Sequence, residues 1–385
     1  AGGATVLAAV IAALGLVLTF THPVATGYAA ITLVAVYMVA LGAWAAIALE
    51  NWYLGIVAVI VVLVQLWTLF MFYRYKRMAS LLLKTVRHVA TAANHRGLWA
   101  VAAVNVVVMA AWTGVFAALL PGVFSFWRGA GATYALYVHS LFTYIWVTEV
   151  IANTAFVTVA GSVGAWYFGV ASDAPTRASA RRALTYSFGA ICFGSLLVAV
   201  LETLRRVLNS MRHSRRGIAA VLAIIAMILL VVIEALLRFF NKNVFVIVAL
   251  YGDSYCQAAK KAKALLHTNA FSLVMQHNVV TSIISAVFLV AAATCGVGAY
   301  LLSAHVLFTG DDQFTHVVLT TAVCTGVGGF VVASAFTIAD AGATTLLIAF
   351  LLAPHQLRAT DPTRFEQYRL AMPEAVPALA ASSNV

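Results

Sequence analysis

Residues 142–161 read FTYIWVTEVIANTAFVTVAG, and Glu149 is the only Asp, Glu, Lys or Arg between Arg128 and Asp173. Placing a carboxylate at mid-bilayer costs at least ~2.5 kcal/mol on insertion scales, so such a group faces a cavity or a partner. Helical steps put Phe142, Trp146, Glu149, Asn153, Phe156 and Ala160 on one stripe. A ring one turn before the carboxylate and an amide one turn after it suit a small organic cation. The ring offers its negative face, the carboxylate its charge, and the amide orients a hydroxyl. The competing reading makes Glu149 protonated or bonded to a neighbouring helix, a contact that holds the bundle together.

Other polar groups are weaker candidates. Glu202 and Glu234 each sit near the end of an apolar segment with an arginine one turn on, Arg205 and Arg238 respectively, which predicts local ion pairs. Asp340 closes the last apolar segment, where it serves an inner gate or meets headgroup water. These three acids are the secondary or gating candidates. His139, His305 and His316 are isolated and bring no catalytic company, so a lipid-modifying membrane enzyme lacks its convergent set. The glycine clusters at 161–164, 296–298 and 326–329 lie inside apolar runs and read as close helix contacts or bends, not phosphate loops. Cys192, Cys256, Cys295 and Cys324 show no paired spacing, neither a disulfide frame nor a metal site. No prosthetic cofactor is implied.

The elements that must position these groups are membrane helices. The chain is 63% hydrophobic and 9% charged, with mean hydropathy +0.98 over 385 residues. Its uncharged runs are about 20 residues long, enough at ~1.5 Å per residue to cross a ~30 Å hydrocarbon core. They are solid Ala/Val/Leu/Ile blocks rather than alternating strands, and backbone in lipid must bond internally. The fold class is therefore an all-α integral membrane protein, a polytopic helical bundle. Nine spans are predicted, at 4–20, 28–49, 52–73, 98–120, 134–168, 186–206, 218–240, 278–303 and 315–340. The fifth is longer than one perpendicular crossing needs, which predicts a tilted helix bent near Gly161 and Gly164. Trp52, Tyr53, Trp99, Trp127, Trp166 and Tyr167 fall at span ends, as an interfacial belt would.

The net charge of +11 sits in short clusters between apolar segments, which points to cytoplasmic loops and lipid headgroups and away from nucleic acid. Segment 74–96 carries six Lys/Arg and no acid. Its Leu81, Leu82, Val86 and Val89 recur at helical spacing, so it is expected to lie along the headgroups; segment 253–268 reads the same way. Charge counting puts loops 74–96, 169–185 and 241–272 and the tail after Pro354 in the cytoplasm, and the acidic loop around Asp311 and Asp312 outside. The basic loop 205–216 then falls on the external side, against the rule. The division expected is a transport domain over 1–354 and a cytoplasmic tail over 355–385.

Three blocks carry a family resemblance: WVTEVIANTAFVTVAGSVGAWYF (146–168), RRALTYSFGAICFGSLLVAVLETLRR (181–206) and NKNVFVIVALYGDSYCQAAKKAKALL (241–266). With the ending DAGATTLLIAFLLAPHQLRATDP, they resemble successive signature blocks of the choline transporter-like family, most closely its fungal and protist branch. The resemblance implies ten helices with both termini cytoplasmic. Nine spans with residue 1 outside would then leave a first family helix ahead of this chain. It also implies sodium-independent movement of choline, or of ethanolamine or a related amine, with proton exchange often proposed. The membrane would be the plasma membrane or an organelle's. Trp146, Glu149, Asn153, Gly161, Trp166 and Tyr167 match the family block directly. Leu352 and Ala353 stand where the family often has an acidic pair. On this reading Phe142, Trp146, Glu149 and Asn153 bind the substrate by alternating access. A structural or sensor protein without transport is the alternative.

Overall fold

The computed structural model describes residues 2–48, 52–126, 130–212, 218–303 and 313–371. Among them every regular element is a helix. The helices are α1 (Gly2–Thr21), α2 (Pro23–Ala48), α3 (Trp52–Thr91), α4 (Gly97–Phe126), α5 (Ala130–Tyr167), α6 (Pro175–Leu184) and α7 (Phe188–Arg212). They continue with α8 (Ile218–Tyr251), α9 (Tyr255–Leu302), α10 (Gln313–Ala335), α11 (Thr337–Leu352), α12 (Pro354–Thr360) and α13 (Pro362–Ala371). Prolines open α2, α6, α12 and α13, where the missing N–H would be unsatisfied in any case. Gly169 (φ 63°) and Gly252 (φ 72°) adopt the left-handed conformation that ends α5 and α8.

Among the described residues each of the nine predicted segments is helical over most of its length, the ninth across α10 and α11. Five helical stretches among the described residues are long and apolar enough to cross a membrane: Ala93–Gly122, Thr133–Tyr167, Phe188–Asn209, Val279–Leu302 and Cys324–Leu352. The last predicted span is corrected. Helical structure does not end at residue 340: past a single turn residue, Phe336, α10 continues as α11 to Leu352, so Asp340 lies inside one apolar stretch and not at its end.

The chain forms two compact units, residues 1–91 with 269–385 and residues 92–268. In the first, α3 packs on α2 and, through its C-terminal half, on α11 and α13. Leu82, Leu83, Val86, Val89 and Ala90 are fully buried. The stripe expected to rest on headgroups is thus covered by protein: a Cβ on Gly342 of α11 would stand 2.8 Å from both methyls of Val86. α13 adds Tyr368, buried against Phe350. Two further glycines act as the close contacts predicted for them. A Cβ at Gly296 would meet Thr325 at 2.4 Å, and one at Gly329 would meet Phe288 at 2.6 Å.

In the second unit α5 is the axis, packed by α4, α6, α7 and α8. It is helical throughout Gly161 and Gly164. These glycines admit neighbours rather than breaking the helix: a Cβ would come within 2.7 Å of Ser179 Oγ and 2.2 Å of Leu250 Cδ2. Tyr167, read from sequence as an interfacial ring, is buried with its edge on Phe168. Two buried polar nodes lock the ends of these helices. His95 Nδ1 lies 3.1 Å from Ser162 Oγ, which lies 2.9 Å from Thr176 Oγ1, joining the short 3-10 turn Ala93–His95 to α5 and α6. Tyr255 donates to Asn241 Oδ1 while Asn241 Nδ2 donates to the Gly194 carbonyl, 2.8 Å away. Burial pushes the Tyr255 phenol up to about 12, so it stays a donor. The Ala/Leu face of 253–268 is likewise inward, with Tyr255, Ala258, Ala262 and Leu265 buried.

Candidate functional site

Midway along α5 the predicted stripe is real. Phe142 and Trp146 stack with centroids 5.9 Å apart, and one turn on stands Glu149. The indole is oriented by a bond from Nε1 to the Cys192 carbonyl of α7, 3.2 Å. Asn153 donates through Nδ2 to Ser195 Oγ of α7 at 2.9 Å, with a longer contact to Glu149 Oε2 at 3.4 Å. The stripe is therefore turned towards α7 and α8.

The carboxylate has a partner that its sequence neighbourhood does not announce. Arg238 of α8 places Nη1 2.5 Å from Glu149 Oε1, Nη2 2.5 Å from Glu202 Oε2 and Nε 3.1 Å from Glu234 Oε1. One planar guanidinium thus spends its three nitrogens on three carboxylates from α5, α7 and α8. Its fixed fork makes that possible where an ammonium would not. Two further arginines complete the knot. Arg206 binds Glu202 at 2.5 Å, and Arg205 reaches Glu234 at 2.8 Å. The local pair expected between Glu202 and Arg205 is corrected: Arg206, at the i+4 position, takes Glu202, which frees Arg205 to cross to α8. The Glu234–Arg238 pair is as expected. Three acids and three arginines cancel in formal charge, as charges out of water require.

The carboxylates are well enclosed, with side-chain exposures of 17% for Glu149, 11% for Glu202 and 10% for Glu234, against 36% for Arg238. Two hydroxyls beside them, Thr148 Oγ1 and Thr203 Oγ1, are buried with no hydrogen-bond partner among the described residues. The structure so brings together Phe142, Trp146, Glu149, Asn153, Glu202 and Glu234. Asp340 belongs to the other unit. Sequence reasoning missed Arg238 as the hub and Ser195 as the amide's partner. The one signal for Arg238 was its place in an apolar run, where an unpaired cation is as costly as an unpaired acid.

Chemically, this is an aromatic pair beside a carboxylate that already holds a delocalised organic cation. Residues 55–355 match the family described as plasma-membrane choline transporter. A CTL-like protein of Dictyostelium discoideum is 30% identical over 271 residues, covering 69% of this chain and 47% of its own length. Protein PNS1 of Mycosarcoma maydis is 30% identical over 325 residues, 79% of this chain and 61% of its own. Protein PNS1 of Cryptococcus neoformans is 29% identical over 352 residues, 83% and 62%. The chain spans about half to three-fifths of the length of these relatives. With its three signature blocks on α5, α6–α7 and α8–α9, and the match running across more than half of its length, the chain belongs to the choline transporter-like family.

Proposed function

We propose that this protein moves choline, or ethanolamine or a related small amine, across a membrane by alternating access and without sodium. The substrate is bound by Phe142, Trp146, Glu149 and Asn153. The observation that carries this reading is the occupant Glu149 already has: a weakly hydrated, delocalised cation beside two stacked rings. A quaternary ammonium has no N–H to donate, so charge and π faces are what recognise it. When the ammonium takes Glu149, Arg238 keeps Glu202 and Glu234, and no cation is left without an anion. Those two acids act as the gate that holds Arg238 in one state or the other, and Asp340 as a second gating group in the other unit. The family assignment supports a transporter role.

The same reading takes all nine predicted segments as crossings, with residues 74–96 and 241–272 cytoplasmic. Residues 1–354 form the transport domain and 355–385 a cytoplasmic tail, in the plasma membrane. A second reading has an observation of its own. The knot is fully paired, which is what a purely structural clamp on α5, α7 and α8 would look like. Glu149→Gln separates the two. The amide keeps the shape and can still accept from Arg238, while the charge that draws the ammonium is gone. Radiolabelled choline flux into proteoliposomes, at matched protein incorporation, is expected to fall strongly. Unchanged choline kinetics would hand the site to the structural reading.

A further inference from the structure

A second pocket lies near the end of α5, at Gly161, roughly 18 Å along that helix from Glu149. It encloses about 350 Å³ between α5, the C-terminal part of α6, the linker to α7 and the last turn of α8. Two kinds of recognition group line it. On one side stands Arg182, whose Nη2 donates to Ser179 Oγ at 3.1 Å. Gly161 leaves room for both, since a Cβ there would crowd Ser179 Oγ at 2.7 Å and touch Nη2 at 3.5 Å. The ion pairs of the described residues do not include Arg182. Ser179 and Ser187 are buried, at 2% and 6% exposure, and Ser187 Oγ takes no part in the hydrogen bonds of the described residues. On the other side are two tyrosines. Tyr186, in the linker, is 88% exposed, so its ring faces are bare. Tyr251 closes α8, where the helix dipole is negative, and its ring already draws an ammonium: Lys261 Nζ stands 4.6 Å from the centroid.

An anion anchor beside cation-binding rings fits a zwitterion better than either half alone. The two sides are close: Arg182 lies over Gly161 and Leu250 of α8 over Gly164, roughly 5 Å further along α5. A P–O–C–C–N chain, four bonds of about 1.5 Å each, covers that distance. The surroundings select the net sign. α6 carries Arg177, Arg181 and Arg182 and no acid, and residues 253–263 carry Lys260, Lys261 and Lys263 against Asp253. A net anion is therefore favoured here over the bare amine proposed for Glu149. We infer that this pocket binds the phosphate monoester of a quaternary amino alcohol. Arg182 and the Ser179 and Ser187 hydroxyls donate to the phosphate oxygens, and the ammonium end rests on Tyr186 and Tyr251. A lipid headgroup offers the same phosphate and ammonium as a singly charged diester; the monoester, at about −1.5 to −2 at pH 7, suits the basic setting better. The choice of choline as the amino alcohol rests on the proposed transport function.

Equilibrium dialysis of the intact protein in a glucoside detergent tests the assignment, with radiolabelled phosphocholine as ligand and choline, inorganic phosphate and trimethylglycine as competitors. One saturable site is expected, binding phosphocholine at least tenfold more tightly than any competitor. Arg182→Gln and Tyr186→Ala should each weaken it at least fivefold, and Tyr186→Phe, which keeps the ring, much less. Arg177→Gln, on the same helix but outside the pocket, should leave it within twofold. Arg182 and Tyr186 are exposed, so these variants are expected to fold. Native mass spectrometry from nanodiscs of phosphatidylcholine or phosphatidylglycerol separates the two sources. A retained phosphatidylcholine lost in Arg182→Gln, without binding of the soluble ester, assigns the same chemistry to a headgroup. Glu149→Gln, which tests the transport reading, should leave phosphocholine binding unchanged, so either reading can fail alone. Binding from neither source, equal binding by choline or trimethylglycine, or binding indifferent to both Arg182→Gln and Tyr186→Ala overturns the inference.

Discussion

The α5–α7–α8 knot of one unit and the α3–α11 seam of the other are both packed helix contacts, yet they are built from opposite materials. The knot sets six charges among apolar helices and fastens them through a single guanidinium. The seam is fully buried Leu, Val and Ala against a glycine. Their energetics differ in kind. Where α3 bears its arginines and lysines and leaves the lipid, removing apolar surface from water is itself a driving force. Within lipid that force is absent, because the tails are as apolar as the side chains, and packing and polar bonds must act instead. A seam degrades gradually as methyl groups are lost. A knot fails at its hub.

The sharpest way to break this contrast is therefore at Arg238. Arg238→Met strands Glu149 outright and leaves Glu202 and Glu234 with one arginine each, Arg206 and Arg205. Breaking a fully buried pair costs about 3–5 kcal/mol, and the lower end, ~3 kcal/mol, applies because the guanidinium keeps 36% of its surface. Thermal unfolding followed by size-exclusion chromatography is expected to show a large fall in apparent Tm, partly recovered when Glu149→Gln is added. An Arg238→Met protein as stable as the parent would show that the carboxylates do not depend on the hub. In the seam the effect is smaller. Gly342→Ala drives a methyl to 2.8 Å from Val86 and should cost ~1–3 kcal/mol by overpacking. Val86→Ala in the same chain should give part of it back, a non-additivity that only residues in contact show. Strict additivity would place the strain elsewhere.

What could be read from sequence divides along the same line. The seam was legible as a stripe, since Leu82, Val86 and Val89 recur at helical spacing; its cover was not, because periodicity shows that a face is buried and not what buries it. Headgroups and α11 present the same demand to α3. The knot was legible only in its local parts. Glu234 and Arg238 are four apart and pair as expected, while Glu149 and Arg238 are 89 positions apart and meet only once α5 and α8 pack. The stripe of Phe142, Trp146, Glu149 and Asn153 followed from helical geometry. Its facing partners, Cys192, Ser195 and Arg238, depend on which side of α5 turns inward. The turn residue Phe336 between α10 and α11 left no signal of the usual kind, having neither proline nor glycine beside it.

The aromatic pair lets the contrast be sharpened for function. Trp146→Ala removes both the ring face and the bond to the Cys192 carbonyl, whereas Trp146→Phe removes only the bond and part of the face. Cation–π contacts are worth ~0.5–2 kcal/mol, so apparent choline affinity should weaken by up to roughly thirtyfold for Ala and clearly less for Phe. Equal losses in uptake at matched expression would mean that the indole holds α5 to α7 and does not touch the cation.

The smallest expected effect lies one turn further on. Ser195 is fully buried and accepts from Asn153 Nδ2 at 2.9 Å, while the same amide keeps a longer contact of 3.4 Å to Glu149. Ser195→Ala deletes the nearer acceptor and leaves the charged one. Hydrogen bonds between membrane helices average only ~0.6 kcal/mol, because a separated helix finds other partners in the membrane. The stability change should accordingly be slight. The amide, released from α7, should turn to Glu149 and compete with whatever cation sits there, so choline affinity is expected to shift a few-fold while unfolding hardly moves. Asn153→Ala, which removes the amide altogether, should leave that carboxylate to Arg238 or substrate alone. If Ser195→Ala instead destabilised the protein more than Arg238→Met, the ranking would invert. The neutral amide–hydroxyl bond between α5 and α7, and not the guanidinium shared among three acids, would then be what fastens these helices.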